Sequence, residues 1–307
     1  MDALIASNPT ALTQSPRLVS LFLAGKSGRT LRAYALDLQD FSDFVGADTV
    51  DQAAATLLGR GHGPANELAL AWRSDLLERG LSPATVNRRL AALRSLVKLA
   101  RTLGMAPFTL ELPGVQGQAY RDTRGPGRDG FRRLLDQTSD SAKGRRDRLI
   151  LRLLWDLALR REELVSLDLD HVDQDAGTVS VLGKGRRERE VLTLPAATQT
   201  ALQDWLEVRG NEPGPLVYNL DRRTKGRRLT GAGLYHVVRT LGNEAGVRVR
   251  PHGIRHAAIT EALEATQGNV RMVQRFSRHR DVRTLSTYDD NRQDLGGSVA
   301  ALVAASA

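Results

Sequence analysis

The last third of this chain holds a nucleophile and the cations to serve it. Pro251-His252-Gly253-Ile254-Arg255-His256 is followed by His279 and, nine residues later, by Tyr288. A phenol can attack phosphorus, while guanidinium and imidazole groups hold the phosphate oxygens. With an unperturbed pKa of about 10, the phenol needs a base or a strongly cationic surrounding to act near pH 7. Alone, each of these residues would pack or face solvent in most proteins. Together and in this order they point to phosphoryl transfer on DNA.

The elements that must position them fall into two halves. At 307 residues the chain exceeds the roughly 100–200 residues of a single domain, so two are expected. Lys and Arg total 44 against 35 Asp and Glu, a formal charge of +9, and the pI is near 10.4. That balance favours a polyanionic partner such as nucleic acid. The absence of cysteine excludes disulfides, thiolate zinc sites and a cysteine nucleophile, and fits a cytoplasmic setting. No apolar run approaches the roughly 18 residues of a spanning helix, and Met1-Asp2-Ala3 lacks the basic start of a secretory signal, so no membrane partner is expected.

After an amino-terminal extension over 1–14, residues 15–105 read as helices. Leu31, Tyr34, Leu38, Phe41 and Val45 recur at three- and four-residue steps and make one apolar stripe. Ser82-Pro83 opens another helix, serine capping free amides and proline sitting where its missing N–H costs nothing. Leu90, Leu93, Val97 and Ala100 form its buried face, and Arg88, Arg89, Arg94, Lys98 and Arg101 lie on the remainder with no acidic residue among them. Such a helix can lie along a duplex and neutralise phosphates. Prolines and glycines interrupt residues 106–127, the expected interdomain linker.

Residues 128–294 read as an α+β domain. Helices are expected over 129–138, 144–159, 195–209 and 230–245, with short ones up to Tyr288. Thr178–Leu182 and Glu190–Leu194 are β-branched runs on either side of Gly183-Lys184-Gly185-Arg186-Arg187, a hairpin. Asp168, Asp170, Asp173 and Asp175 lack the glycine and closing glutamate of a calcium loop, so a solvated turn is expected and no metal site.

In these motifs the chain resembles the tyrosine recombinases, the family of phage integrases and Xer chromosome-dimer resolvases. The resemblance implies a helical core-binding (SAM-like) domain before a tyrosine-recombinase catalytic domain with a small antiparallel sheet, mainly α in total. Thr30, Tyr34 and Phe41, then Ser82, Thr85 and Arg88, resemble the two best-marked core-binding helices. Leu159-Arg160-Arg161-Glu162-Glu163-Leu164 resembles the motif of the first catalytic arginine, which implies that role for Arg160 with Glu163 as its supporting acid. Leu182-Gly183-Lys184-Gly185 resembles the hairpin of the catalytic lysine, Lys184. His252 and Arg255 carry over from the second arginine segment, with His256 in support, and His279 and Tyr288 from the histidine-or-tryptophan and nucleophile positions. The pattern departs at Ala158, where glycine is usual, at Arg161, where a small apolar residue is common, and at Phe276-Ser277-Arg278, which replaces a frequent Leu-Gly before the histidine.

What the resemblance implies is a site-specific recombinase that needs no cofactor. Tyr288 would form a 3′-phosphotyrosine, Arg160 and Arg255 would each offer two parallel N–H groups to phosphate, and Lys184 would protonate the departing 5′ oxygen. His252 could also accept the phenol proton. The covalent bond conserves the energy of the cut linkage, so rejoining needs no ATP. Consistently, Gly183-Lys184-Gly185 is too short for a nucleotide phosphate loop.

The implied partners are double-stranded DNA carrying a target site and further copies of the chain, as a tetramer on DNA; the need for a partner recombinase stays open. The basic run Arg222, Arg223, Lys225, Arg227 and Arg228 is a further candidate for backbone phosphates. The small apolar tail 295–307 could dock in a neighbouring protomer as a linking helix. No separate arm-binding domain is read before residue 15, which favours a Xer-like or simple integrase. Two alternatives stand beside this reading: a type IB topoisomerase that relaxes supercoils as a monomer, and a catalytically idle DNA-binding accessory factor whose site Arg278 misplaces.

Overall fold

The computed structural model describes residues 18–116, 125–183, 185–288 and 295–306, and the chain divides into two compact units, Met1–Ala119 and Tyr120–Ala307. The expected extension 1–14 and residues 117–124 of the expected linker lie outside the described residues. Among those described, no helix is long and apolar enough to cross a membrane.

The first unit is helical: α1 (Leu18–Ala24), α2 (Gly28–Phe44), α3 (Val50–Gly59), α4 (His62–Glu78) and α5 (Pro83–Thr102). Local chemistry sets several starts. Thr49 and Gln52 form a reciprocal capping box on α3, and the Ser82 hydroxyl accepts from the Thr85 amide ahead of α5, with Pro83 in the first turn. The expected stripe of α2 turns Leu38 and Phe41 inward. The Phe41 ring meets Trp72 edge-on at 5.0 Å, and Leu90, Leu93, Val97 and Ala100 of α5 close the core. The run 106–112, placed in the expected linker with Pro107 inside it and Pro113 and Gly114 just after it, instead lays Ala106, Phe108, Leu110 and Leu112 into this same core. Alternating apolar residues override the breakers there.

The second unit opens with α6 (Gly127–Asp136), α7 (Ala142–Asp156) and α8 (Arg161–Val165). A three-stranded antiparallel sheet follows, β1 (Val172–Asp173), β2 (Thr178–Leu182) and β3 (Arg189–Thr193), in that spatial order. Val179 faces Leu192 and Val181 faces Glu190 across the hairpin, with both valines buried. The strand β1 is two residues long, too short to carry a period, and escapes a reading from pattern. Then come α9 (Ala196–Arg209), α10 (Gly231–Glu244), α11 (Pro251–Ala265), α12 (Val270–Ser277), a 3-10 segment Val282–Tyr288 and α13 (Leu295–Ala305).

The core of this unit runs along α7, whose Leu149, Ile150, Leu153 and Leu154 are buried, and α9 packs against it. Where periodicity carries the helix to residue 159, α7 ends at Asp156, and Ala158 takes a left-handed φ of 44°. Trp205 on α9 is fully buried and donates its indole N–H to the Leu216 carbonyl at 2.8 Å. Trp205→Phe should therefore lower stability by about 2–4 kcal/mol, through a lost buried hydrogen bond and an unfilled ring volume. Denaturant midpoints of the two chains measure it, and a difference near zero would contradict this account of the core.

Candidate active site

Three guanidinium groups and one carboxylate meet where α7 gives way to α8. Glu163, with its side chain 2% exposed, receives Arg160 Nη1 on Oε1 at 2.6 Å and Arg278 Nη2 on Oε2 at 3.0 Å. It also reaches back to the Arg160 amide at 2.9 Å, satisfying a free donor at the start of α8. Burial pushes this carboxyl up, but the Arg160 amide, Arg278 and the Arg160 guanidinium together outweigh it and hold Glu163 below its usual value. Arg255 arrives from the first turns of α11 and donates to the Ala158 and Ser277 carbonyls. Its burial, then the charges of Arg160 and Arg278, press it down to about 10, so it stays cationic at pH 7.

The nucleophile candidate sits beside this cluster. Tyr288 ends the 3-10 segment and is 5% exposed, packed with Ala158, Ala258, Ile259 and Leu285. Thr260 of α11 donates its hydroxyl to the Tyr288 carbonyl at 3.1 Å. The phenol oxygen lies 3.4 Å from His279 Nε2, which is itself 3.5 Å from Arg255 Nη2. His279 Nδ1 lies 2.9 Å from the Ser277 hydroxyl, and the His256 ring sits 4.5 Å from the Tyr288 ring. Burial raises the phenol above its usual value, against the pull of Arg255 and Arg160. Burial and then Arg255 and Arg160 depress His279 to about 4. His252, exposed on the first turn of α11, is also depressed, by desolvation of the ring first and then by Arg255 and His256. Both imidazoles are therefore neutral near pH 7 in the free protein.

The chain thus brings together Arg160, Glu163, Arg255, His256, His279 and Tyr288 from well-separated stretches of the second unit. Lys184 lies outside the described residues; the hairpin that bears it is closed by Arg186 N–H donating to the Gly183 carbonyl at 3.0 Å and by an Arg186–Glu190 ion pair at 2.6 Å. In the sequence Ala158 and Arg278 stand only as departures from a pattern. Both take left-handed backbone, φ 44° and φ 56°, the conformation for which glycine is the ordinary choice, and Arg278 belongs to the site itself. Arg161 is tied to Glu162 at 3.2 Å, at the surface.

The cationic candidates of the first unit divide in two. Arg88 pairs with the buried Asp37 at 2.9 Å and Arg89 with Asp40 at 2.5 Å, so carboxylates from α2 balance them although α5 has none. Arg94 donates to the Leu112 carbonyl at 2.7 Å, leaving Lys98 and Arg101 exposed. In the second unit Arg222, Arg223 and Arg227 border an open cleft of about 550 Å³, and Lys225 is exposed nearby. Arg228 turns back to the Val165 and Leu167 carbonyls and to Asp168. This loop is fixed by backbone bonds such as Asn219 N–H to the Arg227 carbonyl, 2.8 Å. Asp173 accepts from the Ala176 amide at 2.8 Å in its turn.

Residues 128–294 match the model of the phage integrase family. Over 304 residues the chain is 41% identical to a tyrosine recombinase of Synechococcus elongatus, spanning 96% of this chain and 95% of that one. Over 286 residues it is 40% identical to a tyrosine recombinase of Synechocystis, spanning 91% of each. The fold is similar to that of the XerH site-specific recombinase bound to palindromic difH substrate in a post-cleavage complex, with a TM-score of 0.68 at 22% identity over 88% of this chain and 79% of that one. It is also similar to a lambda integrase dimer bound to a COC′ core site, with a TM-score of 0.63 at 14% identity over 92% and 78%.

The depressed imidazole of His279 has a consequence for stability. Between about pH 6.5 and 4 the unfolded chain binds a proton that the folded site resists, so stability rises with pH across that window and is lost as the solution is acidified. Melting temperature of the DNA-free chain should fall from pH 7 to pH 5, and His279→Gln should flatten that fall. Equal slopes for the two chains would rule out a neutral His279.

Proposed function

The chain belongs to the phage integrase family and is a tyrosine site-specific recombinase, and from that premise we propose that it cuts and rejoins duplex DNA through a covalent link between Tyr288 and a DNA 3′-phosphate, without metal or ATP. The observation that carries this is the Tyr288 oxygen 3.4 Å from His279 Nε2 and, through it, beside Arg255. In this reading Tyr288 Oη attacks phosphorus, the bond to the 5′ oxygen breaks, and that oxygen leaves as a hydroxyl protonated by Lys184. The phenol proton passes to a neutral imidazole, and the two on hand are His252 and His279. Arg160 and Arg255 neutralise the charge that builds on the non-bridging oxygens. The arriving phosphate also offsets the crowding of like charge, lowers the demand on the phenol and favours protonated imidazoles. Rejoining runs the same steps backward from a hydroxyl of another strand.

The remaining assignments follow from the same premise. Residues 15–105 serve as the core-binding domain and 128–294 as the catalytic domain, both on duplex DNA, as the XerH and lambda integrase structures are on theirs. The assembly on DNA is a tetramer, α13 links protomers, and the work is done in the cytoplasm. The full chain should select a sequence from a random duplex pool. On that sequence, nicked so that rejoining is blocked, it should form a covalent adduct. Relaxation of plasmid lacking the selected sequence would favour topoisomerase-like action instead, and binding with no adduct would favour an accessory factor.

Tyr288→Phe should abolish the adduct while leaving affinity for the selected duplex within about threefold, since one phenolic hydroxyl adds little to a phosphate-dominated interface; an adduct that survives would remove Tyr288 from its role. Lys98→Ala with Arg101→Ala should shallow the dependence of log affinity on log salt by roughly 2, at about 0.9 for each phosphate no longer neutralised. Arg89→Ala should lower the melting temperature more than it changes that slope, because it strips cover from buried Asp37. The reverse pattern would mark Arg89 as the phosphate ligand and the other two as solvated.

A further inference from the structure

We propose that Arg278 is a positioning residue for strand cleavage, which sets the catalytic guanidinium groups of Arg160 and Arg255 by clamping Glu163 and the end of α7 from behind. This rests on the recombinase reading above and deepens it.

Three observations single out this side chain. The first is its backbone: φ 56° and ψ 37° at the end of α12 is a left-handed cap that a glycine takes without strain and an arginine does not. Strain of this kind persists where the surroundings impose it. The second is burial. The side chain is 3% exposed, so it is shut away from any DNA phosphate, and its Nε is buried with no hydrogen-bond partner among the described residues. Such a placement costs stability twice over, in desolvation and in an unmet donor.

The third is what the guanidinium touches. Nη1 donates to the Leu157 carbonyl at 2.8 Å and Nη2 to the Ala158 carbonyl at 3.1 Å. Nη2 also meets Glu163 Oε2 at 3.0 Å, on the carboxylate whose other oxygen holds Arg160. The Ala158 carbonyl is the one that Arg255 uses as well, and the Arg278 carbonyl lies 3.4 Å from Arg160 Nη2. One side chain therefore shares an acceptor with each of the two arginines assigned to phosphate, without being able to reach phosphate itself. A glycine at 278 would relieve the backbone but leave the Leu157 carbonyl without this donor and Glu163 with one cation fewer.

The test is single-turnover formation of the Tyr288 adduct on the nicked duplex selected by the wild-type chain. Arg278→Gly should bind that duplex within about threefold of wild type yet form adduct roughly 10–100-fold more slowly, the scale at which displacement of a catalytic group by about an ångström is felt. Removing the cation also lets Glu163 protonate more readily, so the acid limb of the rate profile should move to higher pH. In a Glu163→Gln background the same substitution should cost less than about twofold more, because the two act through one contact.

A wild-type chain that makes no adduct would overturn the recombinase reading and this inference with it. A reactive wild type, matched by Arg278→Gly in rate and pH profile, would overturn this inference alone, as would full additivity with Glu163→Gln. If the glycine variant melts below the assay temperature, Arg278→Lys decides. It keeps the charge but not the fork, so about tenfold slower cleavage with an unmoved acid limb is expected, and wild-type speed would refute the clamp.

Discussion

One buried carboxylate among three guanidinium groups is the constraint on which the rest of this site depends. Among the described residues Glu163 is the acid that touches both Arg160 and Arg278, and Arg255 adds a third cation close by. Counted by formal charge, three guanidinium groups against one carboxylate leave an excess of positive charge that the cluster does not neutralise internally. Burying such an excess is unfavourable by itself. What makes it tolerable is geometry: the Leu157, Ala158, Ser277 and Arg278 carbonyls all turn toward the guanidinium groups. A phosphate diester is the natural complement of what remains.

The local folding of the second unit follows from that requirement. The helix α7 stops at Asp156 and the chain turns through a left-handed Ala158, which frees two carbonyls at the helix end and points them at cations. The short helix α8 starts at once, with Glu163 reaching back to its first amide. Proline at the first position of α11 costs no hydrogen bond and sets His252, Arg255 and His256 within its first two turns. The Thr260 hydroxyl, one turn further on, ties down the backbone of Tyr288. At rest, burial keeps the phenol protonated, while burial and then cationic neighbours keep the imidazoles neutral. The unliganded site therefore holds a protonated phenol beside neutral imidazoles.

Much of this was legible in the residues. Arg160, Arg255, His279 and Tyr288 lie at spacings the resemblance makes recognisable, and the fold brings them together. The strands β2 and β3, and the cap at Ser82, were readable because turn and cap chemistry is local. Long-range pairing was not readable. Arg88 and Arg89 look unbalanced within α5 because Asp37 and Asp40 come from α2, some fifty residues earlier. Arg278 looked like a blemish at a glycine position, since nothing in its neighbours in sequence announces Glu163 on another helix. Lys184 lies outside the described residues.

The stretch 106–112 bears on how such a protein can be taken apart. Its Pro107 advertises a spacer, yet Phe108, Leu110 and Leu112 complete the interior of the helical unit before them. A chimaera joined at residue 105 would leave the helical unit without Ala106, Phe108, Leu110 and Leu112, whereas a junction after residue 116 would carry them with it. The seam for grafting the helical unit onto another chain therefore lies beyond these aromatic and aliphatic anchors, and a junction within them would leave part of its interior unfilled.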